Sequence, residues 1–320
     1  MAKKWWALIA AALAAAAIAA WYFLYYVKTP AYTVQLLQKA AAAHDTAAFE
    51  KHLDLRSVLD GGYDALMTAG LPESAGGDEA RKEEIKQIAR AVKPAVVEQM
   101  REYILHAVAG GKWDTEKEGG TAQLEAIAER AGITAFLAKD VKTTAASGDS
   151  ASLVIDVTHP DLAEPFPLTA SLSRLPDGTW QIRSLPNFGD FLTKLRAAQK
   201  EALRTYIAAT KPMVDEANTK RQALTAGQPA ITEDFAGQYN GLIDELEKNL
   251  KTVDVPHGAK EFADFRLKTY DLMKEHMALI AKVQAGKGGP QDGQKIRAQQ
   301  AQLAAMTRQL RLMEESAAAE

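Results

Sequence analysis

The stretch ASLVIDVTHPDLAEPFPLTASLSRLPDGTWQIR, residues 151–183, decides the fold, because apolar and polar side chains alternate along it. A period of two places every second side chain on one face, as in a strand with one buried face. The apolar positions are Leu153, Ile155 and Val157, then Phe166, Leu168, Ala170 and Leu172, then Trp180 and Ile182. Turn-forming residues at 148–149 and 176–178 separate these runs. With residues 141–145 as its first strand, the pattern predicts an antiparallel sheet of about four strands.

Helical periodicity precedes the sheet. Apolar residues recur every three or four positions over residues 32–40 and again over residues 79–109, as on the buried stripe of a helix. Asp45 is placed to cap a short helix between these two segments, because its carboxylate can accept from free amide groups of a first turn. Residues 29–189 therefore predict an α+β domain with helices packed on the sheet.

Several breakers interrupt the helical pattern. Gly61-Gly62 and residues 71–78 predict loops or turns, and Pro94 should kink or split the long helix that contains it. Residues 124–131 predict a further short helix before the sheet.

The strand pattern ends at residue 190, and residues 190–320 predict an all-α helical bundle. Amphipathic stripes recur throughout this part, and Thr232 is placed to cap the second helix. The connectors are residues 227–229, 255–258 and 286–293. Short connectors favour antiparallel neighbours. Three or four helices are expected, depending on whether Pro212 splits the first.

The N-terminus carries the pattern of a membrane anchor. A run of 23 uncharged residues, Trp5–Val27, lies between Lys4 and Lys28. About 20 apolar residues cross a bilayer core of roughly 30 Å as a helix. Aromatic residues that favour the two membrane interfaces stand at both ends of the run: Trp5 and Trp6, then Trp21, Tyr22, Tyr25 and Tyr26. Residues 1–28 therefore predict a transmembrane anchor whose partner is the lipid bilayer through residues 5–27.

A cleaved signal peptide is the alternative to an uncleaved anchor, because Ala17-Ile18-Ala19 has the small-x-small form of a cleavage site. The apolar run continues beyond that site to Val27, which favours an anchor. Lys3 and Lys4 precede the run and only Lys28 follows it at once, so the positive-inside bias places the N-terminus inside. The expectation is a single-pass protein of the bacterial inner membrane with extracytoplasmic C-terminal domains.

Composition excludes several classes of function. The net charge is −3, and residues 190–320 carry 19 Lys and Arg against 18 Asp and Glu, so a nucleic-acid partner is not expected. The chain has no cysteine, which excludes disulfides, thiol catalysis and cysteine-ligated zinc.

Four polar residues near the start of the α+β segment are the candidate binding residues: His44, Asp45, His52 and Asp54. If their helices fold against the sheet, these side chains would line one cavity, with a histidine and a carboxylate as an acid/base pair. Helix capping and solvation are the alternative, and favoured, interpretation. No catalytic residue is assigned.

Other motifs give no metal or cofactor prediction. The acidic residues Asp114, Glu116 and Glu118 are diluted by lysines and indicate a solvated loop. Gly286-Lys287-Gly288-Gly289 lacks the spacing of a phosphate-binding loop. His159-Pro160-Asp161 is typical of a turn, and Trp180 of a core anchor.

A family resemblance extends over about residues 29–195. It is carried by Thr29-Pro30-x-Tyr32 after the apolar run, by His44-Asp45, by Leu53-Asp54-Leu55 and by Asp177-Gly178-x-Trp180-x-Ile182. The chain resembles the bacterial membrane-anchored proteins grouped as domain of unknown function family 2939, and more distantly the nuclear transport factor 2-like superfamily. The first resemblance implies an anchor and a fold without an activity. The second implies helices around a curved sheet with a conical pocket.

We therefore expect a non-catalytic module, anchored in the membrane, that binds a small ligand or an envelope protein. The alternatives are an enzyme that uses His44 or Asp54, and a structural spacer or oligomerisation protein whose helical bundle contacts a second copy.

Overall fold

The computed structural model describes residues 25–74, 79–110, 137–226 and 230–319. The chain divides into two compact units, Met1–Lys194 and Leu195–Glu320. Four of the residues expected at the membrane, Trp5, Trp6, Trp21 and Tyr22, lie outside the described ranges, as does the acidic segment with Asp114, Glu116 and Glu118. Among the described helices, none combines the length and the apolar character needed to cross a bilayer.

The first unit contains four helices and a sheet within the described residues. A 3-10 turn, Tyr26–Lys28, precedes them. The helices are α1 (Tyr32–Ala42), α2 (Thr46–His52), α3 (Leu55–Ser74) and α4 (Glu79–Gly110). A fifth helix, α5 (Phe188–Thr225), begins directly after the sheet and runs on into the second unit.

The sheet is an antiparallel meander in the order β1-β2-β3-β4. Its strands are β1 (Leu137–Ser147), β2 (Ser150–Thr158), β3 (Phe166–Arg174) and β4 (Trp180–Ser184). The predicted α+β class with an antiparallel sheet is therefore confirmed. Both hairpin turns place a glycine in the left-handed region, Gly148 at φ 58° and Gly178 at φ 83°, where a side chain would be strained.

The core of the first unit lies on the face of the sheet that the alternating apolar residues occupy. Leu153, Val157 and Ala170 are fully buried, and Phe191 of α5 is buried with them. Burial of one large apolar side chain contributes about 1.5–3 kcal/mol. The period of two therefore fixes the register, because a slip by one residue would turn Leu153, Val157 and Ala170 to the other face of the sheet.

Two helix-breaking patterns did not break helices. Gly61 and Gly62, which predicted a loop or turn, lie inside α3, and residues 71–74 of the second predicted loop are helical as well. Each glycine costs about 1 kcal/mol in a helix. Side-chain contacts with α4 offset that cost: the Tyr63 hydroxyl donates to the Ala89 carbonyl, and Lys93 pairs with carboxylates of α3.

Proline does not end either long helix. Pro94 lies within α4 and Pro212 within α5, and the helix continues on both sides of each. A proline removes one backbone hydrogen bond. Buried residues downstream, Val97 in α4 and Ala217 in α5, keep both flanks packed. A split, which was one of the two possibilities at Pro94 and was left open at Pro212, is therefore absent from both helices. The predicted helix over residues 124–131 lies outside the described residues.

All regular secondary structure in the described residues of the second unit is helical, as predicted. After the continuation of α5 come α6 (Glu233–Leu250), α7 (Lys260–Gln284) and α8 (Asp292–Ala318). The Thr232 hydroxyl accepts from the Phe235 amide at 3.1 Å and caps α6 as expected. One core cluster centres on Ile243 and Tyr239 of α6, and a second on Tyr206 of α5 and Phe262 of α7.

Candidate functional site

His44 ends α1 in a Schellman motif. It adopts φ 57°, its amide donates to the Ala41 carbonyl, and the Asp45 amide donates to the Ala40 carbonyl at 2.9 Å. Glycine is the usual residue at this left-handed position. The His44 ring contributes a contact that glycine lacks, because its Nδ1 lies 2.9 Å from the Val108 carbonyl near the end of α4. A carbonyl only accepts, so Nδ1 carries the hydrogen and donates.

Asp45 starts the next helix. Its Oδ1 accepts from the Ala48 amide at 2.9 Å, so the side chain caps α2 as predicted. The two neighbours thus end one helix and begin the next, and both polar side chains are used in that junction.

His52 lies at the other end of α2 and is buried. Its Nδ1 donates to the Trp180 carbonyl of β4 at 3.0 Å. β4 is an edge strand of the described sheet, and the residues after α2 run beside it: Leu53 bridges to Ile182, and the Asp54 amide donates to the Ile182 carbonyl at 2.8 Å. This segment covers an edge whose open carbonyls would otherwise pair with another chain.

Asp54 completes this cover. Its carboxylate accepts from the Ser57 amide at 3.2 Å and hydroxyl at 2.8 Å, and it pairs with Arg183 of β4. Burial raises the pKa of Asp54, but the hydrogen bonds from Ser57 and Arg183 outweigh it and hold the pKa below its ordinary value. A carboxylate that stays ionised in this way is suited to pairing and poorly suited to accepting a proton at neutral pH.

The four candidate residues therefore lie at opposite ends of α2. His44 and Asp45 precede it, His52 and Asp54 are at and beyond its end, and seven helical residues span about 10 Å. Each histidine directs its Nδ1 at a backbone carbonyl, so that nitrogen is not available to a carboxylate.

A cleft of about 210 Å³ opens between α3 and α4. It is lined from α3 by Tyr63, Asp64, Met67 and Thr68, and from α4 by Lys86, Ala89, Arg90 and Lys93. Sequence patterns did not indicate this cleft, because the glycines at 61–62 predicted a loop or turn at a place where α3 in fact continues. Two exposed apolar residues of α4, Ile88 and Val92, lie in sequence between its lining residues.

Lys93 fixes one wall of the cleft. Its Nζ lies 2.8 Å from the Asp60 carboxylate and 2.9 Å from that of Asp64. Burial lowers the pKa of Lys93, but the hydrogen bonds to Asp60 and Asp64 outweigh burial and hold the pKa above its ordinary value. For the Tyr63 phenol, whose charged form is an anion, burial raises the pKa. The wall is thus charged but locally paired.

Trp180 joins the sheet to the first described residues of the chain. Its ring is buried, as expected of a core anchor, and its Nε1–H donates to the Lys28 carbonyl at 2.9 Å. The Lys28 side chain lies along Gly178, where a Cβ would stand 3.3 Å from the Lys28 Cδ. The pairing of residues 152 apart left no signal in the sequence.

The second unit holds a buried arginine that the sequence pattern did not single out. Arg266 of α7 donates to the Thr210 hydroxyl at 3.1 Å and to the Tyr206 hydroxyl at 3.0 Å. Its guanidinium lies 5.1 Å from the Tyr206 ring centre and 5.0 Å from that of Phe262. In the sequence, Arg266 cannot be told from an arginine that is exposed to solvent, so the helical pattern gave no sign of its burial.

The remaining motifs have ordinary local structure. Lys287 pairs with Glu233 at 2.8 Å, and the Gly289 amide donates to Asp292, so residues 286–289 form a loop between helices. His159 accepts from the Asp161 amide at 3.1 Å within a turn. Within the described ranges, no group of three or more His, Asp or Glu side chains is arranged to hold a metal ion.

Comparison with known proteins identifies one family. The model of the family described as Protein of unknown function (DUF2939) matches residues 13–107, which confirms this resemblance for the N-terminal part of the chain. The nuclear transport factor 2-like resemblance stays a prediction. No curated protein matches the chain. No solved structure matches it either.

Proposed function

We propose that this chain, whose residues 13–107 match a family of proteins of unknown function, is a single-pass membrane-anchored protein. Its folded part is a non-catalytic binding module. Residues 5–27 insert in the bacterial inner membrane, and residues 29–320 lie outside the cytoplasm. The module recognises a segment of another envelope protein through the α3–α4 cleft.

The observation that carries the non-catalytic part is the structural use of the four polar candidates. The rings of His44 and His52 donate to backbone carbonyls, Asp45 caps α2 and Asp54 pairs with Arg183. General acid/base catalysis needs a titrating group within reach of a substrate proton. These side chains hold elements of the fold together instead.

The size of the cleft favours a protein segment over a cofactor or a larger substrate. Its volume of about 210 Å³ is below the roughly 300–1,000 Å³ typical of small-molecule sites. The cleft combines an apolar lining from Met67 and Ala89 with charged groups from Lys86 and Arg90. Such a surface accommodates one apolar side chain of a partner and offers charges to its flanks.

The anchor is tested first, in intact spheroplasts. We expect full-length mass in the membrane fraction and digestion of residues 195–320 by protease added outside. Protection from the protease would reverse the topology, and a mass lacking residues 1–19 would replace the anchor with a cleaved signal peptide.

The cleft is tested with a photoreactive amino acid at Met67 of the full-length chain. We expect an adduct with an envelope protein, and loss of that adduct when Thr68→Trp fills the cleft. Thr193→Trp is the matched control, because both threonines are exposed and donate to the carbonyl four residues earlier, Asp64 at 2.8 Å and Gly189 at 2.9 Å. Adducts that persist in Thr68→Trp would contradict recognition at the cleft.

Catalysis is the competing function, and an activity assay with two variants tests it. Turnover of any substrate by the purified full-length protein that is lost on His44→Ala or Asp54→Ala would replace the binding module with an enzyme. An unfolded variant would be recognised by its loss of helical circular dichroism.

A further inference from the structure

The folded part of the chain begins without a linker after the apolar run. The run ends at Val27, and the Lys28 carbonyl already accepts from the buried Trp180 indole at 2.9 Å. The Lys28 side chain is held along Gly178 in the β3–β4 turn. The β3–β4 turn is therefore fixed directly beside the residue at which the uncharged run stops.

We propose that the joint, the place where Lys28 meets the β3–β4 turn, binds anionic phospholipid headgroups. This inference depends on the membrane anchor of the proposed function. The docking surface consists of Lys28, the β3–β4 turn at residues 175–179, and the basic side chains around them. Because a membrane-spanning run that ends at Val27 leaves the bilayer at the interface, the joint lies at headgroup level.

The charge of the docking surface fits an anionic partner. Its four basic side chains, Lys28, Lys39, Lys51 and Arg174, outnumber the carboxylates of Asp177 and of Asp149 in the neighbouring β1–β2 turn. The Arg174 guanidinium lies 5.8 Å from the Trp180 ring centre, and the Lys51 Nζ lies 2.6 Å from Asp177. That ion pair is solvent-exposed and therefore weak, so Lys51 can exchange it for a lipid phosphate. Basic side chains beside a membrane segment are attracted to anionic lipid.

Lys39 belongs to the same surface through two aromatic rings. Its Nζ donates to the Tyr32 hydroxyl at 2.6 Å, and the Tyr32 ring packs on Tyr26 at 5.2 Å between centres. Tyr32 is buried and holds Lys39 in place, whereas the partly exposed Tyr26 has the apolar ring and polar hydroxyl that favour the membrane interface. The aromatic and basic side chains therefore gather where the chain would leave the bilayer.

The sheet supplies an internal reference for distance. The β1–β2 and β3–β4 turns share one end, since the Arg174 amide donates to the Asp149 carbonyl at 2.9 Å. The β2–β3 connection is at the other end, and the nine residues of β2 span roughly 30 Å. The exposed Ala163 in that connection is therefore remote from the docking surface.

The test uses the absence of cysteine in the full-length chain. Pro176→Cys, in the exposed β3–β4 turn, and Ala163→Cys each accept one fluorophore, and each protein is placed in lipid discs that carry headgroup nitroxides. We expect strong quenching at position 176 and background quenching at position 163. Quenching at 176 falls in discs of phosphatidylcholine relative to phosphatidylglycerol, and at high salt, where screening acts within about 3 Å at 1 M.

A pair of charge variants tests the recognition itself. Lys51→Gln with Arg174→Gln should lower the quenching at position 176 in anionic discs to its level in neutral discs. Arg204→Gln with Lys211→Gln removes the same charge from exposed side chains of the second unit and should change nothing.

The outcomes separate this proposal from the anchor. A chain retained in the discs with equal quenching at positions 176 and 163, or with quenching at 176 that does not depend on anionic lipid, overturns the docking surface and leaves the anchor intact. A chain that leaves the discs overturns the anchor and the docking surface together.

Discussion

The His52 imidazole and the Trp180 carbonyl oxygen lie 3.0 Å apart although 128 residues separate them in the sequence. The bond occurs at the edge of the sheet, where β4 has no neighbouring strand among the described residues. A buried histidine, the bridge from Leu53 and the Asp54 amide together satisfy that edge. Residues that resemble an acid/base site in the sequence thus protect a strand.

Replacing His52 should destabilise the first unit. His52→Ala leaves the Trp180 carbonyl without its donor in a buried position and opens a cavity, so we expect a loss of roughly 2–4 kcal/mol in the free energy of unfolding. His106→Ala, at an exposed position of α4, should change that free energy by less than about 0.5 kcal/mol. Tryptophan fluorescence during denaturation reports on this unit, because all five tryptophans precede residue 195. Equal stability of the two variants would contradict the structural role of His52.

The sequence predicted those parts of the fold that local pattern controls. The alternation around Leu153 and Ala170 gave the sheet, and Asp45 and Thr232 lie where a first turn needs an acceptor. These features depend on residues within a few positions of one another.

Features that depend on tertiary contact were not predictable in this way. Gly61-Gly62 is helical because α4 packs on α3, and the Trp180–Lys28 bond joins residues 152 apart. For His44 and His52 the sequence left two interpretations open, a shared cavity and, as the favoured one, helix capping and solvation. Only the length of α2 between them shows that they face different partners.

Acid should remove the contribution of Asp54. Its folded-state pKa lies below the ordinary value, so its stabilisation is present above the unfolded pKa of about 3.9 and is lost as pH falls through the folded-state pKa. At neutral pH, Asp54→Asn should cost about 1.5–3 kcal/mol, the typical value of hydrogen bonds to a charged group.

The measurement for Asp54 is the free energy of unfolding as a function of pH. The difference between wild type and Asp54→Asn should shrink steadily as pH falls below about 4. Asp149→Asn, in the exposed β1–β2 turn, should follow the wild type at every pH. A difference for Asp54→Asn that stays constant down to low pH would show that the carboxylate charge is not the source of the stabilisation.

Substitutions at His44 should separate its ring from its backbone. His44→Gly and His44→Ala both lose the bond to the Val108 carbonyl, but only alanine must hold the left-handed φ of 57° with a Cβ. That conformation costs a residue with a side chain roughly 1–2 kcal/mol. We therefore expect His44→Ala to unfold at lower denaturant than both His44→Gly and the wild type, because only alanine keeps the strain and lacks the bond. The opposite order of the two variants would rule out the Schellman geometry.

Arg266 should tolerate an apolar replacement better than a charged one. Lysine keeps a buried charge but cannot reach both the Tyr206 and Thr210 hydroxyls in the planar geometry of a guanidinium. Methionine removes the charge and fills the space between the Tyr206 and Phe262 rings. Replacement of a buried ion by an apolar side chain of similar volume is often close to neutral, whereas an uncompensated charge costs roughly 3–5 kcal/mol.

Hydrogen exchange of the α7 amides compares the stability of the two Arg266 variants. Tryptophan fluorescence would not, because the tryptophans lie in the first unit and do not report on the second. We expect Arg266→Lys to accelerate exchange in α7 far more than Arg266→Met does. Lys268→Met is the control, since Lys268 is exposed on the same helix and its replacement should leave exchange unchanged. Faster exchange in Arg266→Met than in Arg266→Lys would mean that the charge itself stabilises the bundle. The two aromatic rings would then compensate the buried guanidinium more fully than its bonds to the hydroxyls alone.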